Sequence, residues 1–265
     1  MGRIRILSDT IANKIAAGEV VERPSSVVKE LLENSLDAGS SEIRVETEAG
    51  GRKLIRLTDN GIGMMRDDAL LAFERHATSK LADVKDLLSI ATLGFRGEAL
   101  PSIASVSRLT LETRAREEVS GTAVEIAGGK LLRCDEAALV GGTAITVRDL
   151  FFNVPARKKF LRSDQTEVAH IASLVTHYSL AHPSKSFSLR HNQSELLNTT
   201  PVATLRERVF QVFGSQTLED LLDLGDLTRN LAIPMEPDEA PLTRRFRLRG
   251  FVSGPQVQKL NRNSV

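Results

Sequence analysis

The sequence predicts an α+β fold in which helices and an antiparallel sheet stack in layers. Three stretches predict it. A helix-patterned segment at residues 23–39 is followed at once by two strand-patterned segments joined by Gly50-Gly51. Strand patterns then recur over residues 107–147, separated by Gly121, Gly128-Gly129 and Gly141-Gly142, which reads as an antiparallel meander. A long amphipathic helix at residues 166–182 comes after it. Strict βαβ winding would alternate single strands with helices, and this order does not.

Bulk properties bound the rest. The chain has 265 residues, 41% hydrophobic and 26% charged, an ordinary composition for a soluble globular protein with ample core. Lysine and arginine number 35 against 34 acids, so any basic surface must be local. The single cysteine, Cys134, rules out an internal disulfide framework and fits a reducing cytosol. No apolar run approaches the ~20 residues of a membrane span. The amino terminus lacks the apolar region of a signal peptide. A soluble, cytoplasmic protein with no membrane partner is expected.

Residues 8–17 read as a short helix ending at Gly18. In the next helix Pro24 suits a first helical position, and Gly39 suits the left-handed residue past a helix end. Between them Val27, Val28, Leu31, Leu32 and Leu36 recur at helical spacing, a stripe that must be buried. Glu30, Asn34 and Asp37 sit at i, i+4 and i+7, sharing another face. Two carboxylates and an amide beside a core face could activate water and hold a cation. Taken alone, such a face is more often simply solvated.

Residues 42–49 alternate as a strand through Ile43, Val45 and Thr47, and residues 53–58 return through Ile55 and Leu57. The second strand runs into Asp59-Asn60-Gly61-Ile62-Gly63-Met64. A carboxylate is an acceptor, so it could read an exocyclic amine such as that of adenine, while the glycines let a planar ligand approach the backbone. Alone, D-x-G-x-G is usually only a turn. A helical pattern over residues 66–75 closes with His76-Ala77-Thr78-Ser79-Lys80. Next, Leu93-Gly94-Phe95-Arg96-Gly97-Glu98-Ala99-Leu100 places two glycines ahead of a helix starting near Glu98. Free N–H groups and the helix dipole there favour phosphate, and the glycines would let the loop close as a lid. By itself the stretch reads first as a linker and a helix start.

After the meander, residues 149–157 end the strands and lead into the basic run Arg157-Lys158-Lys159. The long helix carries Ile171, Leu174, Val175 and Tyr178. Organisation restarts near Pro201, with a helix at 202–213, an apolar segment at 218–227, a loop bearing Pro234, Pro237 and Pro241, and one clear strand at 244–252. Two domains are therefore expected, 1–200 and 201–265, the second too small to bury much alone. Arg245, Arg247 and Arg249 alternate along that strand. They could neutralise DNA phosphates, or serve equally as solvated charges that keep an edge strand from aggregating. The five histidines show no metal-ligand spacing.

Four blocks occur in one order at sensible spacing: Glu30…Asn34, Asp59-x-Gly61-x-Gly63, Gly94-Phe95-Arg96-Gly97-Glu98-Ala99-Leu100 and Gly142-Thr143. Together they resemble the nucleotide site of the GHKL ATPase superfamily, shared by gyrase, the large heat-shock chaperone, histidine kinases and MutL. Within it, Ile15-Ala16-Ala17-Gly18-Glu19-Val20-Val21, Val28-Lys29-Glu30-Leu31, Glu33-Asn34-Ser35, Asp37-Ala38-Gly39, Arg75-His76-Ala77-Thr78-Ser79-Lys80 and the lid block are similar to signatures of the MutL mismatch-repair family. So are residues 149–157. The resemblance is specific over residues 1–200 and looser beyond.

The resemblance implies a two-layer α/β sandwich with a mixed, largely antiparallel sheet (the GHKL or Bergerat fold), then the start of a second, incomplete α/β domain. It implies ATP and Mg²⁺ as cofactors, with Glu30 as the general base that orients water and Asn34 as the Mg²⁺ ligand. Asp59 would accept from the adenine amine with Thr143 supporting it; Gly63 and Met64 would shape the adenine floor. Ala38 and Thr78 would line the pocket, and Gly94, Phe95, Arg96, Gly97, Glu98 and Leu100 would form the lid. No G-x-x-x-x-G-K-[ST] occurs, which excludes a P-loop route to the same chemistry. The implied role is a slow, nucleotide-switched clamp in DNA mismatch repair, located in the cytoplasm with the nucleoid. Its implied partners are DNA, a MutS-type mismatch recognition protein, a downstream nuclease or helicase, and a second copy in ATP-dependent dimerisation. The family's second-domain lysine has no match here, so the chain reads as a truncated amino-terminal module. The alternative is a nucleotide-regulated interaction module with negligible hydrolysis.

Overall fold

Strand side chains alternate between faces, and this chain sorts them into a dry face and a wet one. The computed structural model describes residues 17–18, 20–75, 77, 93, 97–233, 242–255 and 257. The chain divides into two compact units, Met1–Pro201 and Val202–Val265.

The first unit is built on eight strands: β1 (Glu42–Glu48), β2 (Leu54–Asp59), β3 (Arg108–Arg114), β4 (Gly121–Ala127), β5 (Lys130–Ala137), β6 (Gly142–Arg148), β7 (Ser186–His191) and β8 (Ser194–Thr199). They lie in the order β5-β4-β3-β6-β2-β1-β7-β8. Only β1 and β7 run parallel; every other neighbouring pair is antiparallel. Among the described residues its helices are α1 (Pro24–Asp37), α2 (Arg66–Leu71), α3 (Ala99–Ser105), α4 (Pro155–Phe160) and α5 (Asp164–Ala181).

Ile43 and Val45 of β1, Ile55 and Leu57 of β2, Leu109 and Leu111 of β3 and Val147 of β6 point to one face and are buried. Arg44, Glu46 and Arg56 point to the other and are exposed. Helices pack on the dry face: Val27, Val28, Leu31, Leu32 and Leu36 of α1, Ile103 of α3, and Ile171 and Val175 of α5 complete one core with the strand residues. The result is the expected two-layer arrangement on a mixed, largely antiparallel sheet. Each fully buried leucine or valine contributes roughly 1.5–3 kcal/mol, so this apolar stripe anchors α1 to the sheet.

Local signals set the helix ends. In α5 the Ser163 hydroxyl accepts the Thr166 N–H at 3.3 Å. The 3-10 turn Ala49–Gly51 joins β1 to β2, as Gly50-Gly51 led one to expect. The hairpin of β7 and β8 was not legible in the sequence. Only Phe187 and Leu189 of β7 are buried apolar residues, too few for an alternation to stand out.

Among its described residues the second unit has one helix, α6 (Leu205–Glu219), and a hairpin of β9 (Leu221–Ile233) and β10 (Leu242–Ser253). Thr204 and Glu207 form a capping box at the start of α6. The apolar segment at 218–227 straddles the end of α6 and the first half of β9, so the described part of the unit holds two long strands where the sequence displays one. Pairing with β10 decides this. The register runs from Leu242 opposite Ile233 to Ser253 opposite Leu221, with a bulge between Arg249 and Phe251. The helix at 8–17, except Ala17, and Pro234, Pro237 and Pro241 lie outside the described residues.

Candidate functional site

The site grows from α1. Pro24 opens the helix and Arg23 precedes it in an extended conformation. Gly39 ends it at φ +73°, with its N–H on the Leu36 carbonyl at 3.0 Å. With the apolar stripe held in the core, Glu30, Asn34 and Asp37 share a half-buried face. The first turn of lining residues beyond the helix is Ala38, also half-buried. Its carbonyl accepts the Ile62 N–H at 3.1 Å, tying the end of α1 to the loop after β2.

Asp59 ends β2 and is 7% exposed. Its carboxylate is fixed from three directions. The Ser35 hydroxyl donates to Oδ2 at 2.6 Å, the Gly61 N–H donates to Oδ1 at 2.8 Å, and the Thr143 backbone N–H donates as well. Burial pushes the Asp59 carboxyl above the usual carboxylate range, and these three donors offset that only in part.

Sheet register extends the site sideways. Asp59 stands opposite Thr143 on β6, Thr143 opposite Thr113 on β3, and Thr113 opposite Thr122 on β4. Four polar side chains therefore cross four strands in one row on the helix-covered face, all buried. The Thr113 hydroxyl donates to the Gly142 carbonyl at 3.1 Å and lies 3.0 Å from the Thr143 hydroxyl. It also accepts the Met64 N–H at 2.9 Å. A hydroxyl has one proton and two lone pairs, so Thr113, with its proton on Gly142, accepts from both Met64 and Thr143. Nothing near Thr113 in the sequence marks it; only its register opposite Thr143 brings it in.

Two glycines are required here by space. A Cβ on Gly63, at φ +72°, would stand 2.1 Å from the Arg114 carbonyl oxygen. One on Gly142, at φ +84°, would stand 2.1 Å from the Asp59 carbonyl oxygen. Both positions hold backbone against backbone, Gly63 against the end of β3 and Gly142 against the end of β2.

The lid block is described in part. Gly97 lies against the Ala77 carbonyl, and Glu98 and Leu100 are half-buried at the start of α3. The Leu93 N–H donates to the Asp37 carboxylate at 3.0 Å. Thr78, Gly94, Phe95 and Arg96 lie outside the described residues. Hydrogen bonds thus join Asp59, Thr143 and, through Thr113, Met64, and Ala38 bonds the same loop at Ile62, with Asn34 and Glu30 one and two turns back along the helix. Among the described residues no group of three or more His, Cys, Asp or Glu side chains is arranged to hold a metal ion.

Glu33 stands in a signature-like block, yet the sequence shows no role for it. It is buried, accepts the Tyr178 hydroxyl from α5, and pairs with Lys29 at 2.8 Å. In the second unit Arg245, Arg247 and Arg249 are exposed on β10, but Arg247 is held by Asp226 through Nε at 2.7 and 2.9 Å. The three are not an unopposed basic row.

Comparison with known proteins gives this geometry a family. Residues 22–130 match the family described as histidine kinase-, DNA gyrase B-, and HSP90-like ATPase. The DNA mismatch repair protein MutL of Solibacter usitatus (strain Ellin6076) is 70% identical across the whole chain, which covers 42% of that protein. MutL of Koribacter versatilis (strain Ellin345) is 61% identical, again across the whole chain and 43% of that protein. The chain spans about two fifths of the length of these curated relatives. Among solved structures, the Aquifex aeolicus MutL ATPase domain complexed with ADP superposes with a TM-score of 0.62 at 31% identity, covering 84% of both chains. The crystal structure of the N-terminal domain of a DNA repair protein gives a TM-score of 0.76 at 25% identity, covering 91% of this chain and 71% of that one. The mixed sheet under one layer of helices is accordingly the GHKL ATPase fold, and the chain belongs to the MutL DNA mismatch repair family as its N-terminal ATPase region.

Proposed function

We propose that this region binds ATP with Mg²⁺ and hydrolyses it slowly, as the nucleotide switch of a mismatch-repair clamp. The observation that carries the reading is the pairing of a buried, three-times-bonded carboxylate, Asp59, with the half-buried Glu30–Asn34 face of α1. Asp59 offers an acceptor for the adenine amine, with Thr143 beside it. Gly63 and Met64 would shape the adenine floor, and Ala38 would line the pocket.

Asn34 offers an amide oxygen, and a hard cation that keeps several waters and phosphate oxygens needs few protein ligands. Bound there, Mg²⁺ would neutralise phosphate charge and ATP would supply the phosphoryl group. Glu30, one turn before Asn34, would accept a proton from the attacking water. Gly94, Phe95, Arg96, Gly97, Glu98 and Leu100 would supply backbone donors over the phosphates, with Thr78 at the pocket wall. The family reading extends to DNA, a MutS-type protein, a downstream nuclease or helicase, and a second copy in ATP-dependent dimerisation, in the cytoplasm at the nucleoid.

Single-turnover hydrolysis and ADP binding by the purified chain test this. Glu30→Ala should abolish turnover while binding survives, and Asp59→Asn should weaken binding itself. Equal loss of both in the Glu30 variant would contradict its role as base. Binding with no turnover in the unaltered chain would leave a nucleotide-regulated interaction module.

A further inference from the structure

Helix α1 carries an acid outside the Glu30, Asn34 and Asp37 set. Glu33 lies on the turn after Glu30, and its side chain is 9% exposed against 25% for Glu30. One carboxylate oxygen accepts the phenol O–H of Tyr178 on α5. The other pairs with the Lys29 ammonium at 2.8 Å. The same ammonium stands 3.5 Å from Glu30 Oε1.

That last separation exceeds the ~3.2 Å reach of a good N–H···O bond, yet charge attraction still acts across it. Neighbouring residues on a helix do not face each other; the lysine stem leans toward Glu33 and passes Glu30 at a distance. We propose that Lys29, held back by the Tyr178–Glu33 pair, is a positioning residue for Glu30: it tethers the carboxylate by charge while leaving free the lone pairs that take a proton. The proposal rests on the reading of Glu30 as the base.

Burial alone would lower the Lys29 ammonium, but Glu33 and Glu30 outweigh it and hold Lys29 above the usual lysine range. The tether is therefore charged at neutral pH. Without Glu33 the ammonium closes onto Glu30 and occupies it. Without Lys29 the Glu30 carboxylate loses its tether. Both changes act on the chemical step, and Glu33 acts only through Lys29.

The test is single-turnover hydrolysis of Mg²⁺-ATP with ADP affinity measured in parallel, for Glu30→Ala, Lys29→Met, Lys29→Arg, Glu33→Gln and the Lys29→Met/Glu33→Gln double. Lys29→Met and Glu33→Gln should each slow the step about 10-fold with affinity within about 2-fold. The double should be no slower than Lys29→Met, and Lys29→Arg should recover most of the rate. An unaltered rate in Lys29→Met, additive losses in the double, or affinity falling in step with rate would overturn the tether. Turnover retained in Glu30→Ala would overturn the base reading itself, an outcome distinct from an inactive Glu30→Ala beside unaltered Lys29 and Glu33 variants. A second readout is independent of turnover. Tyr178 is the chain's one tyrosine and there is no tryptophan, so its emission reports the network without background. Lys29→Met, at a side chain 46% exposed, and Glu30→Gln should both change that emission in the ligand-free chain. An unchanged signal in both would discard the coupling.

Discussion

The Ser35 hydroxyl donates to Asp59 Oδ2 at 2.6 Å, so the helix that carries Glu30 and Asn34 also orients the acid at the end of β2. One rigid element sets both ends of the candidate site. Removing that hydroxyl with Ser35→Ala takes a hydrogen bond from a buried carboxylate, an interaction worth roughly 1.5–3 kcal/mol. Nucleotide affinity should fall about 10-fold or more, as measured by calorimetric titration with ADP, while Glu30-dependent turnover at saturation is largely kept.

Asp59→Asn separates stability from binding. The folded-state carboxyl is raised by burial beyond what Ser35, Gly61 and Thr143 offset. A raised acid contributes stability that is complete below its unfolded pKa and is lost as pH rises through the folded one. At neutral pH the ionised Asp59 therefore opposes folding. The neutral amide should raise the melting temperature of the ligand-free chain and abolish tight nucleotide binding; a lower melting temperature would speak against the burial argument.

The same acid sets a pH dependence for the ligand. An adenine amine needs the ionised carboxylate as acceptor. Nucleotide affinity should decline as pH falls through the raised Asp59 pKa, above the ordinary carboxylate range. In Asp59→Asn, whatever residual binding persists should lose that dependence. Titrations at a series of mildly acidic pH values check it.

Thr113→Val leaves the Met64 N–H without its acceptor and frees the Gly142 carbonyl. An unsatisfied buried group costs about 1–3 kcal/mol, so stability to urea should drop by that order. Thr113→Ser, which keeps the hydroxyl, should restore most of it. If valine and serine behave alike, the hydroxyl is not what holds this row.

Tyr178 should resist ionisation. Burial first, then the hydrogen bond and charge of Glu33, push its phenol above the ordinary tyrosine range. The associated stability is complete below the ordinary phenol pKa and is lost only as pH rises through the raised folded value. Near-ultraviolet absorbance of the single tyrosinate should stay silent until alkaline unfolding. Glu33→Gln should bring the rise to lower pH.

What the sequence reveals and what it hides follow from distance along the chain. The apolar stripe of α1 and its polar face are written at i, i+3 and i+4, so Glu30, Asn34 and Asp37 were legible as neighbours. The glycine-punctuated meander was legible because alternation and turn residues are both local. Pairing of Glu33 with Tyr178 spans 145 residues, and Met64 with Thr113 spans 49. Neither leaves a periodic mark. The β7–β8 hairpin joins the sheet by parallel pairing with β1, an association no turn signal near Ser186 announces. In the second unit Leu221, Leu222, Leu224 and Leu227 suit helix and strand spacing alike, and long-range pairing with β10 decides between them.

The most direct measurement of the central claim is a crystal structure of the chain with a non-hydrolysable ATP analogue and Mg²⁺. The account predicts the purine amine in hydrogen-bond reach of Asp59, with the phosphates along the Glu30–Asn34 face of α1. A purine seated elsewhere, with Asp59 bonded only to Ser35, Gly61 and Thr143, would contradict it.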